Sequence, residues 1–168
     1  MALISGSGGG GSSGGYIGFI VVQDQKAANT AGGTCTAGSF QTRTLNTEVL
    51  DTHSDCTLAS NQITLTAGTY DIIASAPAVF VSDHQTRLQN VTDGTTVLVG
   101  TSEYAPIVSA ADGSQTRSEI IGRFTIAASK ALEIQHRSSV TRATNGFGAA
   151  ANFGQIEIYT NVQLFRVS

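Results

Sequence analysis

The chain has 168 residues, 40% of them hydrophobic and only 12% charged, with a formal net charge of −3. That length and hydrophobic content suit one folded domain with a real core and exclude a chain that is disordered throughout. The nine basic residues are scattered singly from Lys26 to Arg166, so there is no basic face for nucleic acid, and no apolar run approaches the roughly 18 residues of a membrane span.

The chain starts Met-Ala-Leu-Ile-Ser, without a basic n-region or the apolar stretch of about 7–15 residues that marks a secretory signal, so synthesis in a cytosol is expected. Residues 6–15 read GSGGGGSSGG, a Gly/Ser tether with almost nothing to pack. It separates a small apolar head, Ala2-Leu3-Ile4, from a body beginning at Tyr16, which divides the chain into an arm (1–15) and one domain (16–168). A frayed terminus is one reading of the arm. The other is that Leu3 and Ile4, with Tyr16 and Ile17 at the base of the leash, dock on another subunit or protein.

From Tyr16 onward the pattern is that of β-structure. The run Ile17–Val22 is near-continuously apolar and is expected to end at Gln23-Asp24. Residues 23–38 read as a long loop with Gly32, Gly33 and Gly38. Ser39–Asn46 sets Phe40, Thr42 and Thr44 against Gln41, Arg43 and Leu45, and Gln62–Thr66 turns Ile63 and Leu65 inward. Thr69–Val81 is a long strand expected to break or bend at Pro77, which has no donor for a ladder. His84–Val91 and Thr95–Thr101 flank Thr92-Asp93-Gly94, whose Asp-Gly pair is a strong hairpin signal. Glu119–Ala127 and Ala131–Arg137 flank the short turn Ala128-Ser129-Lys130. Thr141–Phe153 reads as a second long surface loop, and Gln155–Val167 closes the chain. About nine strands and no sustained 3.6-residue periodicity indicate an all-β sandwich or barrel.

Chemistry-bearing motifs are scarce. Gly6-x-Gly8-x-x-Gly11 imitates a dinucleotide fingerprint and Gly10-Gly11-Ser12-Ser13-Gly14 a nucleophile elbow. Neither has the strand before it or the helix after it that such motifs need. Asp83 adjoins His84, but neighbours on a strand point to opposite faces, so the carboxylate cannot orient that imidazole. Cys35 and Cys56 fit no zinc or redox spacing. They read either as reduced, half-buried thiols or as a pair across neighbouring strands. No cofactor, metal site or catalytic set is expected, and the chain reads as a non-enzyme. His84 and His136, each near an arginine (Arg87, Arg137), are expected to line a polar seam between strands or subunits.

The stretch Gly68-Thr69-Tyr70-Asp71-Ile72, then Ala128 to His136, then the closing strand Ile156 to Val167, resembles the jelly-roll heads of the tumour-necrosis-factor and complement-globular-head type. A more specific resemblance is to small phage virion proteins and phage fibre C-terminal domains. It is carried by Ala31-Gly32-Gly33-Thr34, Arg43-Thr44-Leu45-Asn46-Thr47, Asn61 to Leu65, His84 to Asp93, Gly100 to Tyr104, Gln135-His136-Arg137 and Thr144 to Gly148, and spans about Ile20 to Val167. This resemblance implies a jelly-roll β-sandwich that assembles as a homotrimer in a virion, made in the host cytoplasm, with no catalytic residues. Tyr70, Phe80, Phe124 and Phe165 are then expected to divide between the inner core and the subunit contact. One role consistent with this is capsid decoration, a cement protein whose arm docks on the major capsid protein. The other is a fibre tip that binds a host glycan through the loops 23–38 and 141–153.

Overall fold

The computed structural model describes residues 15–107 and 114–168, so the arm residues Leu3 and Ile4 lie outside the described residues. The fold is an all-β jelly-roll sandwich. Eleven strands occur among the described residues: β1 (Gly18–Lys26), β2 (Gln41–Thr42), β3 (Thr47–Asp51), β4 (Cys56–Ala59), β5 (Gln62–Leu65), β6 (Gly68–Val79), β7 (Ser82–Asn90), β8 (Thr95–Ala105), β9 (Gln115–Ile126), β10 (Lys130–Ser138) and β11 (Glu157–Arg166). The first sheet runs β3-β1-β11-β6-β9. The second runs β4-β5-β10-β7-β8, with β2 paired to β10. Every strand pairing is antiparallel.

Alternation places the core. In β6, Tyr70, Ile72 and Ala74 point inward. They meet Ile120 and Phe124 of β9, Leu132 and Ile134 of β10, and Val162 and Leu164 of β11 in one buried cluster. Burying such side chains stabilises by roughly 1.5–3 kcal/mol each, and this layer is the main source of cohesion between the sheets. Further along β6 the inward residues shrink to Ala76 and Ala78, both buried. The space that they leave is filled by polar side chains, described below.

Several boundaries differ from expectation. β6 does not break at Pro77: it pairs with β9 without interruption from Gly68↔Ile126 to Val79↔Gln115. On its other side, β11 reaches only as far as Ser75, so a residue without a donor costs no bond there. The chain instead turns at Phe80 and Ser82, with φ of 57° and 60°, as it passes from the first sheet to the second. β1 runs past Gln23-Asp24 to Lys26, with an irregularity between Gln23 and Gln25. There Asp24 points inward and is 1% exposed, within 3.0 Å of the Lys26 ammonium. β3 and β4 were not expected. The strand expected over Ser39–Asn46 shrinks to two paired residues, although Arg43 and Leu45 keep their inward alternation.

The segment 141–153 is only partly a surface loop. Gly146, Phe147 and Gly148 are buried. Backbone bonds tie the loop to 32–35: Gly32 N donates to Gly148 O (2.8 Å), Phe147 N to Gly33 O (3.0 Å) and Cys35 N to Arg142 O (3.0 Å). Two glycines make this close approach feasible. A Cβ on Gly32 would lie 2.5 Å from Phe147 O. Gly148 has φ 137°, and a Cβ there would lie 2.2 Å from the Tyr159 ring.

Candidate self-association face

Residues of alternating strands on the outer side of the first sheet fall into rows set by strand register. One row reads Phe19 (β1), Phe165 (β11), Asp71 (β6), Arg123 (β9). The next reads Leu50 (β3), Val21, Gln163, Ile73, Ile121. The third reads Thr47, Gln23, Asn161, Ser75, Glu119. The first row pairs two aromatic groups with the Asp71–Arg123 ion pair, the second is apolar except for Gln163, and the third is polar, with Gln23 Nε2 donating to Asn161 Oδ1 at 2.9 Å.

Phe165 anchors the apolar part. Its ring stacks on Phe19 (4.7 Å between centroids) and meets Tyr16 at 4.9 Å. Tyr16 is held against the middle of the first row, its hydroxyl donating to Asp71 Oδ2 at 3.0 Å. Arg123 donates to both oxygens of the same carboxylate (2.6 and 2.8 Å). The Arg123 guanidinium holds the Asp71 carboxyl below its ordinary range, and the bond to Asp71 pushes the Tyr16 phenol up. Tyr16, Asp71, Ile73, Ile121, Arg123 and Phe165 line a groove of about 450 Å³. Ile73 is 47% exposed and Ile121 67%. Branched aliphatic groups so exposed and so close together form the kind of patch that marks a contact surface.

The four aromatic residues read from the sequence separate. Tyr70 and Phe124 stack inside the core at 5.8 Å, and Phe80 is buried at the turn between sheets, with the Arg142 guanidinium 4.8 Å from its ring. Phe165 lies on the outer face. Phe19, Ile73 and Ile121, which complete that face, were not singled out. The signal for them was present as phase: each alternates with an inward neighbour (Ile20, Ile72, Ile120).

The histidines also separate from their expected arginines. His84 Nδ1 and His136 Nε2 lie 2.9 Å apart in the interior, and His84 Nε2 lies 2.8 Å from Thr116 Oγ1. His136 Nδ1 is buried with no hydrogen-bond partner among the described residues. Arg87 lies on the outside of the second sheet, bonded twice to Gln135 Oε1 (2.9 and 2.7 Å) with its guanidinium 4.0 Å from the Phe40 ring. Arg137 is exposed on that same side.

The cation beside the histidines is Arg43, 0% exposed. It donates to Thr160 Oγ1 (2.9 Å), Pro77 O (3.2 Å) and Phe147 O (3.0 Å), and its guanidinium lies 4.0 Å from the Phe147 ring. Burial lowers Arg43 to about 10 and His84 to about 4. Burial, then the nearby Arg43, takes His136 well below its ordinary value. Cys35 and Cys56 are free thiols, and burial raises both, Cys56 to about 12.

Among the described residues no cluster of three or more His, Cys, Asp or Glu side chains is placed to hold a metal, and no helix is long and apolar enough to cross a membrane.

No protein-family model matches the sequence, and neither does any curated protein. Solved structures do match. The globular domain of zebrafish complement 1qA protein superposes with a TM-score of 0.56, covering 90% of this chain and 97% of that one at 12% identity. Murine APRIL superposes with a TM-score of 0.54, covering 89% and 98% at 6% identity. These likenesses establish the tumour-necrosis-factor/complement-head-like jelly roll. The PRD1 vertex protein P5 aligns over 92% of this chain and 99% of that one at 16% identity, with a TM-score of 0.49, too low to carry an argument.

Proposed function

We propose that the chain is a non-enzymatic head that assembles as a homotrimer through the outer face of its first sheet and serves as a bacteriophage virion protein. In this role it decorates the capsid, with the N-terminal arm docked on the major capsid protein. The observation that carries the reading is the largely apolar face of Tyr16, Phe19, Ile73, Ile121 and Phe165, crossed by the Asp71–Arg123 pair. Left in water, that surface drives association, and closed cyclic symmetry satisfies it without open-ended growth. A surface with few charges fits the same reading, because like-charged copies would repel. The phage assignment is supported by the sequence resemblance. The decoration role is supported by the leash of residues 6–15, which lets three arms per trimer reach neighbouring shell subunits and raise avidity without tight single contacts.

The test is light scattering coupled to size exclusion. The wild type is expected at three times 17.3 kDa. Phe165→Asp and Ile73→Asp place a charge on the outer face and leave the core untouched, so both are expected to give folded monomers. A monomeric wild type, or variants that stay trimeric, would overturn the assembly. Deleting residues 1–15 is expected to abolish binding to stripped capsids while the trimer persists. Full occupancy by the armless protein would remove the decoration role.

A second reading, a fibre tip that recognises a host glycan, is favoured by one specific observation: an open polar cleft on the second sheet, turned away from the association face.

A further inference from the structure

We propose that this cleft binds an uncharged saccharide, with Tyr104 as the stacking platform and Asp83 and Arg137 as the polar contacts. The inference deepens the fibre-tip reading and gives it a site on strand ends, which takes only Gly38 from the loops that the sequence suggested.

The cleft lies where the ends of β7, β8 and β10 meet on the outer side of the second sheet. Register places Tyr104 beside Asp83, Ser102 beside Gln85, and Gln85 beside Arg137. The segment carrying Gly38 and Phe40 forms one wall, and the open volume is about 720 Å³, within the range of small-molecule sites. The tyrosine ring is 57% exposed on this shelf.

The polar groups are set in place and still have bonding capacity. Asp83 Oδ2 accepts from Ser139 Oγ (3.2 Å) and Ser82 Oγ (3.4 Å), and Asp83 O accepts from Ser139 N (2.9 Å). Gln85 Nε2 donates to Gly100 O and Ser102 Oγ (3.0 and 3.1 Å), which fixes the amide and leaves Oε1 to accept. Among the described residues, Asp83 and Arg137 form no ion pair.

The backbone that delivers Asp83 is unusual in its own right. Phe80 and Ser82 both hold positive φ within three residues, and a bulky Phe there is a strained conformation. The strain is held by Val140 N donating to Val81 O at 3.1 Å. Strain kept beside an open cleft is an independent reason to look for function there.

The chemistry selects the ligand. Neighbouring hydroxyls of a hexose both donate and accept, matching carboxylate and amide acceptors on one side of the shelf and a guanidinium donor on the other. The C–H face of a pyranose ring fits a flat exposed aromatic surface. One carboxylate, Asp83, against one guanidinium, Arg137, gives the outer shelf no excess positive charge, which disfavours phosphate, sulfated glycans and nucleic acid. The walls are too polar for a wholly apolar ligand.

The experiment uses the full chain on an array of neutral, sialylated and sulfated oligosaccharides, followed by calorimetry with the best neutral binder. Binding to neutral glycans is expected, weakened about tenfold or more by Tyr104→Ala and by Asp83→Asn. Both variants should keep the wild-type mass and circular dichroism. The proposal is overturned if no neutral saccharide binds at about 1 mM, if only sulfated glycans or cationic peptides bind, or if both variants bind as the wild type does. A parallel assay asks whether the chain blocks phage adsorption to host cells. Blocking that survives Tyr104→Ala would sink the cleft and spare the attachment reading. Glycan binding through the cleft without any blocking would do the reverse.

Discussion

Acid should weaken this fold through its buried histidine pair, in a pH window that the structure defines. His84 and His136 share one hydrogen bond at 2.9 Å, in which one nitrogen must accept. Protonating both rings removes the acceptor and puts two positive charges beside the buried Arg43. The charged groups that bear on the pair are Arg43, which opposes protonation of both rings, and Asp83 and Glu103, which favour it at His84. Burial outweighs the carboxylates: His84 falls from 6.5 to about 4. The native state therefore keeps this ring neutral while the unfolded chain takes up a proton below about pH 6.5. The unfolded state binds more protons, so stability falls as pH drops from about 6.5 to about 4, and below that this group adds no further slope. Between pH 7.5 and pH 5 the loss from His84 alone is about 2 kcal/mol, and His136 adds to it in the same direction. That is a substantial part of the roughly 5–15 kcal/mol typical of a domain. The assay is urea unfolding at fixed protein concentration across that range, comparing wild type, His84→Asn/His136→Gln, and the exposed-site control His53→Gln. The double variant is expected to lose most of the pH dependence whatever its absolute stability, and the control to keep it. Parallel pH profiles for wild type and double variant would show that the acid sensitivity does not come from the histidine pair. The depressed carboxylates Asp71, Asp93, Glu133 and Glu157 lose their stabilising effect only nearer pH 4 and below, outside the measured range.

Replacing Arg43 with Met should destabilise by about 2 kcal/mol despite removing a buried charge, because Pro77 O and Phe147 O lose their donor. Arg43→Lys should not rescue it, since one ammonium lacks the planar fork that reaches Thr160, Pro77 and Phe147 together; wild-type melting of either variant would count against this account. Glu157 accepts backbone bonds from Asn29 (3.3 Å), Ala151 (3.0 Å) and Asn152 (3.1 Å), tying two loops to the start of β11. Glu157→Gln should speed hydrogen exchange in 27–34 and 149–156 while the β6 and β9 amides stay protected, and unchanged loop exchange would contradict that role.

What the sequence disclosed, and what it hid, follows from locality. Alternation located β5, β6, β9 and β10 because their inward residues are mainly apolar, and β7, whose inward residues are mostly polar, was marked by the Asp93-Gly94 turn that follows it. It missed β3 and β4 because Thr47–Asp51 and Cys56–Ala59 are short and largely exposed, leaving little hydrophobic contrast. It ended β1 early because Asp24 looks like a strand breaker, whereas in the fold it is buried beside Lys26. The histidine pair was beyond reach for another reason. His84 and His136 stand 52 residues apart, and only the pairing of β7 with β10 brings them together. Neighbouring arginines in sequence point to the opposite side of a strand, so adjacency suggested the wrong cation. Arg43 was legible in principle, since it alternates in phase with Leu45, but an inward arginine contradicts the usual expectation that charge faces water.

The two outer faces of the sandwich set the order in which the functional claims depend on one another. On the first sheet the outward polar groups satisfy one another, as in Arg123–Asp71 and Gln23–Asn161, but Phe19, Val21, Ile73, Ile121 and Phe165 remain as apolar surface facing water. On the second, Arg87 bonds Gln135, Thr96 bonds Gln89, and Glu133 takes bonds from Thr42, Gln62 and Gln135, so most of this face outside the cleft is satisfied by its own polar side chains. A closed ring that covers the first face leaves the second exposed at no energetic penalty, and the saccharide cleft lies on that second face. The proposed assembly and the proposed recognition therefore fall on different surfaces, and a charge placed at Ile73 is expected to dissociate the proposed trimer without altering glycan affinity per chain. Loss of both together would mean that the cleft is completed by a neighbouring copy, and the separation of faces argued here would fail.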